Sequence, residues 1–201
     1  MKKIYAIITG DLVNSRSHDV KIWLPILENS LKEYSNNFDI FRGDSFQAEV
    51  ELAKSFEILF YIKAKIKRIS ELDVRLGLGF GGIENLDKHI KNSTGEAFIN
   101  SGEAFDELKK ELMRMQSPWP EWDIPINLML QLSAELANKW TENMAESVAA
   151  TLENPLANQQ ELAAILHRKY QSQVSTELNK ASFMKIKKVI EYCTHELLKQ
   201  C

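Results

Sequence analysis

Strand-like and helix-like polarity patterns alternate along the first part of the chain. Apolar residues that recur every second position favour strands, and those that recur every three to four positions favour helices. The strands are predicted at residues 4–8, in the two halves of 38–50 and at 73–83, and the helices at 19–34, 52–69 and 104–115. Gly43-Asp44 predicts a tight hairpin turn inside 38–50. This order predicts an α+β fold of the split βαβ, ferredoxin-like kind, with an antiparallel sheet and helices on one face.

The last predicted strand, DVRLGLGFGGI at 73–83, carries glycine at alternate positions. Glycine inside a strand often marks a place where another backbone comes close. We therefore expect a neighbouring element to approach this strand closely.

The pattern changes at Ser117-Pro118-Trp119-Pro120, a segment typical of a boundary. We predict two domains, residues 1–117 and an all-helical domain of residues 118–201. The helices of the second domain are predicted at 126–151, 158–166, 170–181 and 183–198. The first of these, with leucines spaced by four, is long enough to serve as a dimer seam or a rigid spacer.

Composition narrows the functional classes. The 201 residues carry a net charge of −3, which argues against a uniformly basic nucleic-acid binder. No apolar run approaches the ~20 residues of a membrane helix, and the first one ends at Thr9, too early for a secretion signal. Cys193 and Cys201 would lie too far apart on one helix for a disulfide. We expect a cytoplasmic protein with no membrane partner.

Charge is distributed unevenly in the second domain. Residues 118–157 carry one lysine against six acids, whereas residues 158–190 carry six basic groups against two acids. A local positive segment in an acidic protein is typical of a small DNA-binding module, and also of many solvated helices.

Residues 158–181 have the spacing of a helix-turn-helix. Asn158 and Glu161 form the pattern of a capping box at the start of the first helix, and His167 begins a four-residue turn. The second helix turns Val174 inward and presents amide and hydroxyl side chains outward, groups that can bond base edges in double-stranded DNA. The predicted DNA contacts are Arg168, Lys169, Gln171, Ser172, Gln173, Ser175, Thr176, Asn179 and Lys180. The competing interpretation is a helical packing module with a polar solvent face.

Two aspartates mark the candidate chemistry of the first domain. Asp11 follows the first strand and Asp44 lies at the hairpin tip, so the topology can bring them together. Paired carboxylates bind Mg²⁺ or Mn²⁺, usually with substrate phosphates. Both are also ordinary turn residues. The predicted contacts to a nucleotide-like ligand are Thr9, Gly10, Arg16, Arg42 and Gly43.

Four motifs give the chain a resemblance to a known family. They are ITGDLVNSR at 8–16, FRGDSFQ at 41–47, RLGLGFGGI at 75–83 and GEAFINSGEAFDELK at 95–109. With the helix-turn-helix, they resemble the SatD family of bacterial proteins over nearly the whole chain. The N-terminal half also resembles the catalytic domain of class III nucleotidyl cyclases. That resemblance implies that Asp11 and Asp44 match the metal-binding carboxylates of those enzymes.

The chain departs from the cyclase pattern where charge on the transferring phosphate is stabilised. Asn100 aligns with the cyclase asparagine only after a shift of one residue, and Ala104 stands where cyclases place an arginine. Ile40 replaces a lysine before the hairpin glycine. Because such electrostatic stabilisation is usually the largest catalytic contribution, cyclisation is disfavoured.

Three hypotheses follow. The first is a DNA-binding regulator, acting as a homodimer, whose degenerate cyclase-like domain senses a nucleotide-like ligand or mediates dimerisation. The second is a metal-dependent phosphoryl-transfer enzyme acting on a nucleoside triphosphate. The third is a protein–protein interaction module that binds neither DNA nor nucleotide.

Overall fold

The computed structural model describes residues 3–41, 43–108 and 112–201. It is a mixed α+β structure, which confirms the predicted class. Its strands are β1 (Tyr5–Val13), β2 (Asn37–Phe41), β3 (Ser45–Val50), β4 (Asp73–Gly81) and β5 (Met113–Gln116). Its helices are α1 (Val20–Tyr34), α2 (Ser55–Lys67), α3 (Glu96–Asp106), α4 (Pro120–Asn138), α5 (Glu142–Glu153), α6 (Gln159–Ile165), α7 (Gln171–Lys180) and α8 (Phe183–Gln200).

The five strands form one sheet in the order β2-β3-β1-β4-β5. Neighbouring strands are antiparallel except β4 and β5, which are parallel. The expectation of a wholly antiparallel sheet is therefore wrong. The helix predicted at 104–115 is wrong as well, because α3 ends at Asp106 and Met113–Gln116 is a strand. Pairing with β4 outweighs the weak strand propensity of the sequence MRMQ.

Helix α3 lies on the face of the sheet opposite to α1 and α2. Leu78 and Phe80 point into the main core, whereas Gly77 and Gly79 point towards α3. A Cβ atom on Gly79 would lie 2.1 Å from the backbone nitrogen of Ser101. The glycines therefore mark the close approach that the sequence predicted, and the expectation of helices on one face only is wrong.

One apolar core joins the sheet to α4, α5 and α8. Trp122 of α4 packs edge-on against Phe56 and Phe80, with ring centroids 6.4 Å and 6.1 Å away. Residues on both sides of residue 117 belong to this one core. The division into two domains at that residue stays a prediction.

The long helix predicted over 126–151 is two helices. Helix α4 ends at Asn138, and α5 begins after Thr141, whose Oγ1 accepts a hydrogen bond from the Met144 N–H. Trp140 lies buried between them, and its Nε1 donates to the Ala181 carbonyl 2.9 Å away. None of the helices in the described ranges is long and apolar enough to cross a membrane.

A matched pair of glycine substitutions tests the contact between α3 and β4. Gly79→Ala places a methyl group against the α3 backbone, so we expect a loss of ~1–3 kcal/mol in the free energy of unfolding. Gly102 lies in α3 and has open space at its Cβ position, so Gly102→Ala should raise the free energy of unfolding by up to ~1 kcal/mol. Chemical denaturation measures both. Equal effects from the two variants would contradict this packing.

Candidate ligand site and nucleic-acid interface

Asp11 lies in the middle of the sheet and is held by an arginine. On β1 it pairs across to Ser45 of β3 and Arg75 of β4. Arg75 donates from Nε to Asp11 Oδ1 at 2.8 Å and from Nη2 to the other carboxylate oxygen. The guanidinium also stacks on the Phe105 ring, 5.2 Å from its centroid. The hydrogen bond to Asp11 raises the pKa of Arg75, so the guanidinium stays charged.

Asp44 lies in the turn between β2 and β3 and accepts a hydrogen bond from the buried hydroxyl of Ser15. The two residues border a cavity of about 280 Å³, whose other lining residues are Arg16, His18, Val20, Trp23 and Gly43. The indole N–H of Trp23 is buried and has no hydrogen-bond partner within the described part of the chain. A buried donor without a partner is costly, but this N–H is inaccessible to solvent and is not shown to face the cavity.

The carboxylates do not fit a two-metal site as they stand. Arg75 bonds both oxygens of Asp11, and a cation there would have to displace it. Across residues 3–41, 43–108 and 112–201, no three His, Cys, Asp or Glu side chains are placed to share a metal ion. Binding of Mg²⁺ or Mn²⁺ by Asp11 and Asp44 stays a prediction.

The remaining predicted ligand contacts divide into packed and open residues. The Thr9 hydroxyl lies 3.0 Å from the Ser101 hydroxyl and accepts from Gln47 Nε2 at 3.1 Å. Gly10 lies between β3 and β4, where a Cβ atom would meet the Phe46 ring at 2.5 Å, so core packing accounts for it. Arg16 is exposed beside the cavity, and Gly43 has a φ of 94° with open space around it. Arg42 lies outside the described residues.

Helices α5, α6 and α7 form a three-helix unit with a small apolar cluster of its own. Ala150, Leu162, Ala163 and Val174 are its buried members. The predicted capping box at Asn158 is confirmed: the Glu161 carboxylate accepts from the Asn158 N–H at 2.7 Å, and Asn158 Oδ1 accepts from the Glu161 N–H at 3.1 Å.

The turn between α6 and α7 is closed by a residue in the left-handed conformation. His167 has a φ of 52°, and the next N–H, that of Arg168, donates back to the Ala163 carbonyl at 2.8 Å. Glycine usually occupies such a position because it has no Cβ. The chain thus makes a standard helix-ending turn with a less favourable residue.

Arg168 is committed to protein carboxylates. Its Nη2 lies 2.9 Å from Glu146 of α5, and its Nε lies 3.2 Å from Glu177 of α7. Glu177 also accepts from the Ser147 hydroxyl, and Glu146 also pairs with Arg68 at 3.3 Å. Burial opposes the charge of Arg168, but its bonds to Glu177 and Glu146 raise its pKa overall. In the structure Arg168 therefore forms ion pairs that fix α7 on α5, and its contact with phosphate stays a prediction.

The outward face of α7 keeps most of the predicted polar side chains in solvent. Gln171, Ser172, Gln173, Thr176, Asn179 and Lys180 are exposed, and Ser175 is half-buried. Gln173 uses its Oε1 to accept from the Tyr170 N–H at 3.0 Å, so part of its hydrogen-bonding capacity serves the helix start. Lys169 is exposed beside the Tyr170 ring, and neither Lys169 nor Lys180 forms an ion pair with any residue that the structure describes.

Sequence reasoning missed the groups that hold these predicted residues. Ser15 binds Asp44, and Glu146 and Glu177 bind Arg168. Arg75 was placed on its strand, but its pairing with Asp11 depends on the register between β1 and β4. Opposite charges at the same register position are the signal that could have identified that pair.

Comparison of the chain with protein-family models, with curated proteins and with solved structures gives no match in any of the three.

Substitution of Arg168 tests its structural role against a role in phosphate binding. Arg168→Ala leaves Glu146 and Glu177 without this partner, so we expect the free energy of unfolding to fall by ~1–3 kcal/mol. Lys169→Ala, one position along and exposed, should change it by less than ~0.5 kcal/mol. Thermal denaturation without nucleic acid measures both. An unchanged stability of Arg168→Ala would argue against the ion-pair network.

Proposed function

We propose that the protein is a DNA-binding regulator of the SatD kind, in which α6 and α7 are the helix-turn-helix. The observation that carries this proposal is the three-helix unit, in which α7 buries Val174 and leaves its amide, hydroxyl and lysine side chains in solvent. A helix with such a face can enter a major groove and bond base edges. Lys169 and Lys180 supply the phosphate contacts, because neither is engaged by a carboxylate among the described residues.

The first domain, in this proposal, is a ferredoxin-like, nucleotidyl-cyclase-like domain that senses a nucleotide-like ligand. Support comes from the element order of the first four strands and two helices, β1-α1-β2-β3-α2-β4, which is that of a split βαβ fold. The ligand places a phosphate group in the cavity that Arg16 and Asp44 line, where the exposed Arg16 guanidinium binds it. We expect binding without cyclisation, because Asn100, which aligns with the cyclase asparagine, already donates its Nδ2 to the Phe80 carbonyl at 2.6 Å.

The proposed regulator acts as a homodimer in the cytoplasm. Helix-turn-helix proteins commonly bind two half-sites about one helical turn of DNA apart, one for each subunit. The DNA target is therefore expected to be pseudo-palindromic.

Capture of random genomic fragments at about 100 mM salt, followed by sequencing, tests DNA binding. We expect enrichment of a pseudo-palindromic site. Gln171→Ala with Ser172→Ala should weaken binding to that site about tenfold or more, because base contacts are lost. Lys169→Ala should lower the salt slope by about one unit for every sequence, and Lys32→Ala on α1 should leave it unchanged. If no fragments are retained, or if all sequences are retained equally and the substitutions on α7 and at Lys169 have no effect, the packing-module interpretation is favoured.

Titration with ATP and GTP, followed by calorimetry, tests the ligand site. We expect saturable binding that weakens about tenfold in Arg16→Ala, since a charge-assisted hydrogen bond to phosphate is removed. Lys21→Ala, an exposed lysine on α1, serves as the control. Equal affinity in the Arg16 variant would contradict the assigned cavity. Consumption of the nucleotide that ends in Asp44→Asn would instead support the phosphoryl-transfer hypothesis.

A further inference from the structure

Helix α4 carries an uncovered apolar stripe. Ile124, Leu128 and Leu132 recur every four residues on one side, with exposed fractions of 73%, 58% and 61%. The opposite side of the helix is buried in the core that it shares with the sheet. Scattered exposed leucines are normal in proteins, but a contiguous row on one helix is typical of an interaction surface.

The edge strand next to the stripe, β5, is poorly suited to pair with an added strand. Both main-chain groups of Met115 on β5 are occupied by Asn127 of α4, which accepts from the N–H at 2.8 Å and donates to the carbonyl at 2.9 Å. Asp123 accepts from the Ser117 N–H at 3.0 Å just beyond the strand. These side chains of α4 occupy the outward main-chain groups of Met115 and the N–H of Ser117, which makes a helix a better candidate than an added strand to cover the stripe.

We propose that the stripe is covered by α4 of a second copy of this chain, packed antiparallel about a two-fold axis near position 130. Leu128 and Leu132 lie two residues before and after that position, so each would lie level with the other on the partner copy. Ile124 and the half-buried Leu136 lie six residues either side and meet in the same way. A two-fold contact of this kind is self-complementary, as a closed dimer requires.

The charges at the two ends of α4 match in the same register. Glu121 and Lys139 are both exposed and lie nine residues before and after position 130, about 13 Å from the axis at 1.5 Å per residue. Each would face its opposite on the partner copy, at both ends of the contact. Glu135 would lie level with Pro125 of the partner copy, so this register places no two like charges opposite each other. Complementary rim charges of this type fix register more than they add affinity.

This surface deepens the homodimer proposed above and rests on it, but it does not depend on DNA binding. Sedimentation of the full chain over a range of concentrations tests it without nucleic acid. We expect a concentration-dependent dimer that Leu128→Glu weakens by about a hundredfold or abolishes, because a charge replaces a buried apolar side chain. Leu156→Glu, at a residue 98% exposed outside α4, is the matched control and should leave dimerisation unchanged.

A charge exchange fixes the register. Glu121→Lys and Lys139→Glu should each weaken the dimer several-fold, and the double variant should restore it, because its charges again face opposites. Each change also opposes the helix dipole of α4, so the double variant should have the lowest melting temperature of the monomer. If the double variant dimerises again although its monomer is the least stable, the losses in the single variants come from lost charge pairing across the dimer and not from poorer folding.

The possible failures are distinct. A chain that stays monomeric at all concentrations overturns both the homodimer and this surface, whether or not DNA is bound. A dimer that ignores Leu128→Glu overturns the α4 contact alone. Loss of dimerisation in Leu156→Glu as well would mean that the effect is not local, and would also overturn it.

Discussion

The close contact between α3 and β4 is the constraint on which the rest of the arrangement depends. Gly77 and Gly79 allow the helix backbone to lie directly on the strand. With α3 on that face, the chain returns through β5 parallel to β4. Helix α4 then begins beside the β5 edge and carries Trp122 back over the opposite face of the sheet. The position of the C-terminal helices therefore depends on two glycines in β4, Gly77 and Gly79, which have no side chains to keep α3 away.

The elements that sequence could predict are those in which local pattern and tertiary role agree. The amphipathic α1 is of this kind because it buries one face, and the turn at Gly43-Asp44 because it carries turn-forming residues. Strand β4 alternates because large apolar side chains face the core while glycines face α3. Strand β5 could not be found in this way. It has four residues of helical propensity and exists through pairing with β4. The break between α4 and α5 was hidden because Trp140 continues the apolar spacing while packing against Ala181.

The candidate sites follow the same division. Sequence placed Asp44 in the hairpin turn and the polar face of α7 in solvent. The prediction that Asp11 follows the first strand is wrong, because pairing with β3 and β4 extends β1 to Val13. It could not assign the partners of the charged groups, because those partners are distant in sequence and depend on register. The carboxylate of Asp11 meets Arg75, 64 residues away, and Arg168 meets Glu146, 22 residues away. Each pairing changes what the residue can offer to a ligand.

The role of Arg168 bears directly on how the three-helix unit would meet DNA. A phosphate that took this guanidinium would leave Glu146 and Glu177 without their shared partner in a half-buried position, and that loss would offset much of the contact. Glu146 also joins the unit to Arg68 at the end of α2, and Glu153 joins it to Lys65. The carboxylates of α5 therefore serve to hold the unit on the sheet domain. In the proposed function, phosphate attraction would therefore come from lysines outside this network, so that DNA binding would not disrupt the attachment of the unit.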